Sequence, residues 1–147
     1  MQVETAYGTE RGTPSDRTGA MEGSALASLP AHRVVWGNAG GDGLNGGRGW
    51  FVGRFMPPET GPCRAGAVEV KWGVHHAGER RPSVVGGSDT VSLALLVSGR
   101  FTLKFPDVRD DVVLRQQGDY VVYGPGVPHT WFADEDSTII TIRWPAD

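Results

Sequence analysis

The sequence predicts an all-β fold, a barrel or sandwich of short strands, and three observations carry that prediction. Apolar and polar residues alternate with a period of two in runs from residue 67 onward. Turn-forming stretches rich in Gly, Pro, Asp and Ser separate those runs at near-regular intervals. No segment sustains a helical period over three turns. A chain of 147 residues has the size of one domain with one core. Residues 31–147 are expected to form it. Residues 1–30 are polar and small, without strand or helix periodicity, and read as a flexible N-terminal arm. Such an arm buries too little apolar surface to offset the entropy of ordering it.

The elements follow in order. HRVVW (32–36) is the first strand-like run. GNAGGDGLNGGRG (37–49) contains a literal G-x-G-x-x-G at Gly41, Gly43 and Gly46. A dinucleotide fingerprint requires a helix to begin there, facing the pyrophosphate with its N-terminus. The next run is WFVGRF (50–55), aromatic and strand-like, so the glycine-rich stretch reads as a long hairpin or crossing loop. AVEVKWGVH (67–75) places Val68, Val70, Trp72 and Val74 on one face, and Glu69, Lys71, Gly73 and His75 on the other. AGERRPSVVGGSD (77–89) is a turn-rich connection, and TVSLALLVSG (90–99), the most apolar run, reads as a central strand. RFTLKF (100–105), VVLRQQ (112–117), GDYVVY (118–123), PHTWFA (128–133) and STIITIRW (137–144) complete the set.

Composition narrows the partners. The formal charge is −3 and no basic run is present, so nucleic acid is not expected. No apolar stretch approaches the ~20 residues of a membrane span, so no membrane association is expected. Cys63 is the single cysteine and cannot form an intrachain disulfide, which is simplest in a reducing cytoplasm. WFVGRF has no hairpin partner close by in sequence, and an unpaired apolar edge is a liability. A homodimer or larger assembly that covers it is therefore expected.

The stretch GDYVVYGPGVPHTWFA (118–133) resembles the second motif of the cupin superfamily, G-x5-P-x-G-x2-H-x3-N. Gly118, Gly126 and His129 match it, whereas Gly124 and Ala133 stand where the proline and asparagine belong. The resemblance covers about residues 67–144 and implies a double-stranded β-helix, or jelly-roll, barrel with His129 pointing inward. The first cupin motif, G-x5-H-x-H-x3-4-E-x6-G, supplies the other metal ligands. Aligned on Gly78 and Gly99 with one extra residue in the turn, it places Val84, Gly86 and Ser92 where two histidines and a glutamate belong. Those side chains cannot replace imidazoles and a carboxylate at a divalent metal. No cofactor is therefore expected; a weakly bound divalent metal is the alternative.

Strand parity assigns the remaining pocket residues. His129, Trp131 and Ala133 share one face, and Trp131 becomes a pocket wall. Ser92, Ala94 and Leu96 form the corresponding inward set. Glu69, Lys71 and His75 line the cavity if their polar face turns inward, and otherwise face solvent. Tyr120 and Tyr123 lie on opposite faces, so at most one of them reaches the pocket. His76 and Glu79 fall in a turn and are expected in solvent, and Trp50 is a further aromatic able to stack on a ligand.

These residues point to a protein that binds a small organic molecule. The leading expectation is a metal-independent isomerase, lyase or cyclase. His129 or His75 would act as base and Tyr123 as acid, with Trp131, Ser92, Lys71 and Glu69 as ligand-binding residues. Metal-free cupins include sugar epimerases that pair histidine and tyrosine in this way. An aromatic, weakly polar cavity suits an uncharged substrate. One alternative is a metal-dependent enzyme in which His75, His129 and Glu69 or Glu79 bind iron, zinc or manganese. Another is a non-catalytic sensor that needs only the cavity.

Overall fold

The computed structural model describes residues 35–147 apart from Gly46, Gly87, Asp107 and Val108, together with all their side chains except those of Asn45 and Arg109. The N-terminal arm, and most of the run at 32–36, lie outside the described residues; Val35 and Trp36 are not in a strand.

The alternating runs form two antiparallel sheets. The strands are β1 (Trp50–Val52), β2 (Glu69–His75), β3 (Thr90–Ser98), β4 (Phe101–Phe105), β5 (Arg109–Leu114), β6 (Tyr120–Tyr123), β7 (Thr130–Ala133) and β8 (Ser137–Pro145). Sheet A has the order β1-β2-β8-β3-β6, and sheet B the order β5-β4-β7. The chain crosses between the sheets after β3, β5, β6 and β7, and the expected all-β class holds. The run at 90–99 is central in sheet A, flanked by β8 and β6.

Period-two alternation turns an apolar set inward from each sheet. Ala94, Leu96 and Ile139 come from sheet A; Phe101, Leu103, Phe105, Leu114 and Ala133 come from sheet B and its β5 edge. Full burial of a side chain such as Leu96 contributes about 1.5–3 kcal/mol. Gly99 makes the crossing from β3 to β4. Its φ is +87°, and a Cβ there would strike the Asp136 carbonyl oxygen. Only glycine fits that turn without strain.

Two expectations are corrected here. The glycine-rich stretch contains a short helix, α1 (Ala39–Asn45), rather than an open loop. Asn38 caps it, its Oδ1 accepting from the backbone N–H groups of Gly40 at 3.1 Å and Gly41 at 3.2 Å. A glycine-rich helix is intrinsically poor, so the cap and tertiary contact must sustain it. Gly43 is buried where a Cβ would collide with the Gly49 backbone, so the missing side chain permits the contact. The dinucleotide reading stays rejected on geometry, since α1 contains Gly41 and Gly43 and no strand precedes it at residues 35–38.

The second correction concerns WFVGRF. Only Trp50–Val52 is a strand, and it pairs with β2 through Trp50–Lys71 and Val52–Val70. The partner lies beyond a 3-10 segment at Pro58–Cys63, too distant in sequence to be read as a tight hairpin.

Candidate functional site

A cavity of about 330 Å³ lies between the sheets, above the apolar core. Its floor is Ala94, Phe101, Leu103 and Ile139. Register explains what stands over that floor. Arg143 of β8 pairs with Glu69 on one side and Ser92 on the other, and Ser92 pairs with Tyr123. The next row inward joins Lys71, Thr141 and Ala94. Because alternate residues share a face, Arg143 and Thr141 follow buried Ile139 into the interior. The connection between β2 and β3 closes the other wall. Val85 bridges His129 by backbone hydrogen bonds of 2.8 and 2.9 Å, and Arg81 N–H donates to the Trp131 carbonyl at 3.1 Å.

The residues expected from parity fall largely where predicted. His75, Lys71, Ser92, Tyr123, His129 and Trp131 all line this cavity, while Tyr120 is 63% exposed. Glu69 is the exception. It is not among the described lining residues, and reaches the site only through Arg143, with Oε2 3.6 Å from Nη1. Val84, which the motif alignment placed at a ligand position, is half exposed, whereas its neighbour Val85 lines the cavity beside Gly86.

His129 is held on both sides. Its Nδ1 lies 3.0 Å from the Val127 carbonyl oxygen, and its Nε2 lies 3.3 Å from the Tyr123 hydroxyl. A carbonyl only accepts, so Nδ1 carries the proton and Nε2 offers its lone pair to the phenol. Burial pushes the His129 imidazole below its ordinary range; the Val127 contact opposes this, and the Arg81 and Arg143 charges reinforce it. The Tyr123 hydroxyl moves the other way, raised by burial against the opposing pull of Ser92, Arg143 and Arg81. At neutral pH the site thus holds a neutral imidazole base against a protonated phenol.

His75 occupies a different setting. Its ring packs 4.4 Å from Trp131 and 5.3 Å from Phe101, centroid to centroid. Its Nδ1 lies 3.4 Å from Glu79 Oε2, a contact absent from the sequence reading, which left Glu79 in solvent. Glu79 raises the His75 imidazole, but burial and then Lys71 outweigh it, and the net direction is down.

Cationic residues stand out on the remaining wall. Lys71, Arg81 and Arg143 line the cavity, and its described lining includes no Asp or Glu. Arg143 lies 4.2 Å over the Trp50 ring, so this tryptophan supports a cation and is not itself a lining residue. The cavity is therefore more polar than expected. Parity along STIITIRW, from Ile139 through Thr141 to Arg143, carried a signal for Arg143 that went unread. Arg81 sits in a turn-rich connection without periodicity and left none.

A divalent metal, which the cupin resemblance implies, does not suit these residues. Among the described residues no three His, Cys, Asp or Glu side chains group closely enough to hold one. His129 offers a lone pair only on Nε2, His75 packs within a separate aromatic cluster, and three cations line the same cavity.

Solved structures similar to this one include several cupin-domain proteins. One, a cupin-2 domain protein from Shewanella frigidimarina, is 20% identical; the match covers 53% of this chain and 71% of that one, at a TM-score of 0.45. A cupin superfamily protein from Desulfitobacterium hafniense is 16% identical over 56% of this chain and 71% of its own, at 0.49. An RmlC-like cupin from Desulfovibrio desulfuricans is 17% identical over 55% and 74%, at 0.47. Likeness at this level carries no argument about activity. No protein-family model matches the chain, and no curated protein does. Among the described residues no helix is long and apolar enough to cross a membrane.

Proposed function

We propose that this protein binds a small organic molecule between its sheets and acts on it as a metal-independent enzyme of isomerase, lyase or cyclase type. The observation that carries this reading is the pairing of Tyr123 with His129 on the cavity wall. The cavity volume of about 330 Å³ is suited to a metabolite-sized ligand, at the lower end of the ~300–1,000 Å³ seen for such sites.

The chemistry is a proton transfer. His129 Nε2 removes a proton from a carbon next to a carbonyl, and the electron pair of the broken C–H bond moves onto the carbonyl oxygen. Tyr123 turns its O–H from Nε2 to that oxygen and stabilises the enolate. Return of the proton to another position completes an isomerisation; departure of a leaving group completes an elimination. Burial supports both roles by keeping the imidazole neutral and the phenol protonated.

The test is incubation in D2O with small carbonyl compounds, charged and neutral, while deuterium incorporation is followed by NMR. Exchange that His129→Ala abolishes supports the reading; binding without exchange across the panel contradicts it and leaves a binding module.

The homodimer belongs to the same proposal. Val74, Tyr120 and Val122 are 62%, 63% and 45% exposed on the outer face of sheet A, where a second copy would cover them. Sedimentation at micromolar concentration is expected to give twice the chain mass, and a monomer mass contradicts it.

A further inference from the structure

We propose that the ligand is an organic anion, with its carboxylate on the Lys71–Arg81–Arg143 wall and its apolar body against Phe101 and Trp131. This rests on the proposed function in one respect only, that the cavity between the sheets is the ligand site.

The argument is one of charge accounting inside a partly dry space. Three cationic side chains line the cavity, and no carboxylate is among its described lining residues. Glu69 offsets Arg143 from behind, at 3.6 Å. Among the described residues neither Lys71 nor Arg81 has an ion-pair partner. Burial lowers the Lys71 ammonium, and the Arg81, Arg143 and Arg48 charges lower it further. Like charges brought together in a low-dielectric site cost free energy unless something neutralises them. A bound anion does so.

A comparison within the molecule strengthens the point. A second depression, on the other side of Arg81, is lined by Arg80 and Lys104 but also by Asp111 and Asp134. There Lys104 Nζ meets Asp111 Oδ2 at 2.8 Å, and two carboxylates stand among the three cations of the lining. The inner cavity leaves its cations open on the ligand side. Its walls also favour an anion with an apolar body over a bare inorganic ion. Phe101 and Trp131, both lining residues, stack with centroids 5.3 Å apart. Arg143 and Lys71 both present donors to a carboxylate, Arg143 in the planar fork that matches its two oxygens.

The test is titration of the full chain at low ionic strength with phenylacetate, phenylacetamide and inorganic phosphate, followed by NMR shifts of the Trp131 indole and by calorimetry. Phenylacetate is expected to bind at least about tenfold more tightly than its neutral amide. Lys71→Gln and Arg143→Gln should each weaken it about fivefold or more without changing the amide's affinity. Lys71→Gln keeps the test sound if Arg143→Gln proves unstable through loss of its contacts with Trp50 and Glu69. Equal or tighter binding of the amide overturns the proposal, as does phosphate matching phenylacetate or phenylacetate leaving Trp131 unmoved. Carboxylate binding without proton exchange anywhere in the D2O panel supports this inference and retires the acid–base reading. Exchange confined to neutral compounds does the reverse.

Discussion

His75 and His129 are the two histidines of the cavity, and they differ in what holds them. Burial lowers both imidazoles, and both pack against aromatic rings. His129 meets a backbone carbonyl on one nitrogen and a phenol on the other. His75 meets the Glu79 carboxylate and packs against Trp131 and Phe101, and among the described residues no hydroxyl faces its ring as Tyr123 faces His129. Two residues of one type, at similar depth, are thus prepared for different work. A fixed tautomer with its lone pair on an acid is a proton-transfer device, whereas an imidazole wedged among rings is a wall. Hydrogen-bond partners, more than burial, separate a candidate base from a lining residue.

Substitution gives the largest expected contrast. His129→Ala should reduce deuterium exchange by about 10²–10⁴-fold, the range a positioned general base contributes. His75→Ala should cost about tenfold or less, chiefly through binding. Equal losses would erase the distinction drawn between them.

The pH profile sharpens the comparison. His129 must be neutral to accept a proton, and its pKa lies below the ordinary value of about 6.5. Exchange should therefore be level above that value and fall only as pH drops below it. Tyr123, raised above the usual phenol value of about 10, keeps its proton across the neutral range. No alkaline limb is expected below about pH 10. His129→Ala should remove the acid limb along with the activity, whereas His75→Ala should leave its position unchanged. An acid limb that moves with His75 instead would reverse the roles.

The smallest expected effect is on stability. With folded pKa values depressed, the unfolded chain binds more protons than the native one once pH falls below about 6.5. Stability is full above that value and declines as pH drops through the lower folded values. Urea midpoints measured between pH 7 and pH 5 should fall, and the decline should be shallower when either histidine is replaced by a neutral side chain. A midpoint that rises toward pH 5 contradicts the direction assigned to these groups.

Much of this was legible in the sequence wherever a period of two governed. Ser92, Ala94 and Leu96, the Lys71–His75 face, and the His129–Trp131 pair all turned inward as parity required. The motif alignment missed by one residue at Val84 and Val85, because in an isolated bridge the phase comes from the partner His129 and not from a run of its own. Arg81 was hidden for a related reason: its position depends on pairing with Trp131, fifty residues further along the chain. Helix α1 went unseen since its glycines oppose helix formation, and what sustains it is contact with Gly49 and the Asn38 cap. The Tyr123–His129 contact had a sequence signal in the inward position of both residues, but the tautomer depended on the Val127 carbonyl, whose direction only the folded turn fixes.

The most direct measurement is the protonation state of His129 itself, read from the two ring-nitrogen shifts by long-range nitrogen–proton NMR at pH 7. The predicted result is a neutral ring, Nδ1 carrying the proton and Nε2 bare, that begins to titrate only below about 6.5. Tyr123→Phe should move the Nε2 shift while the proton stays on Nδ1 through Val127. A proton found on Nε2, or an imidazolium at pH 7, would contradict the account, because neither leaves a lone pair on Nε2 with which to take a proton.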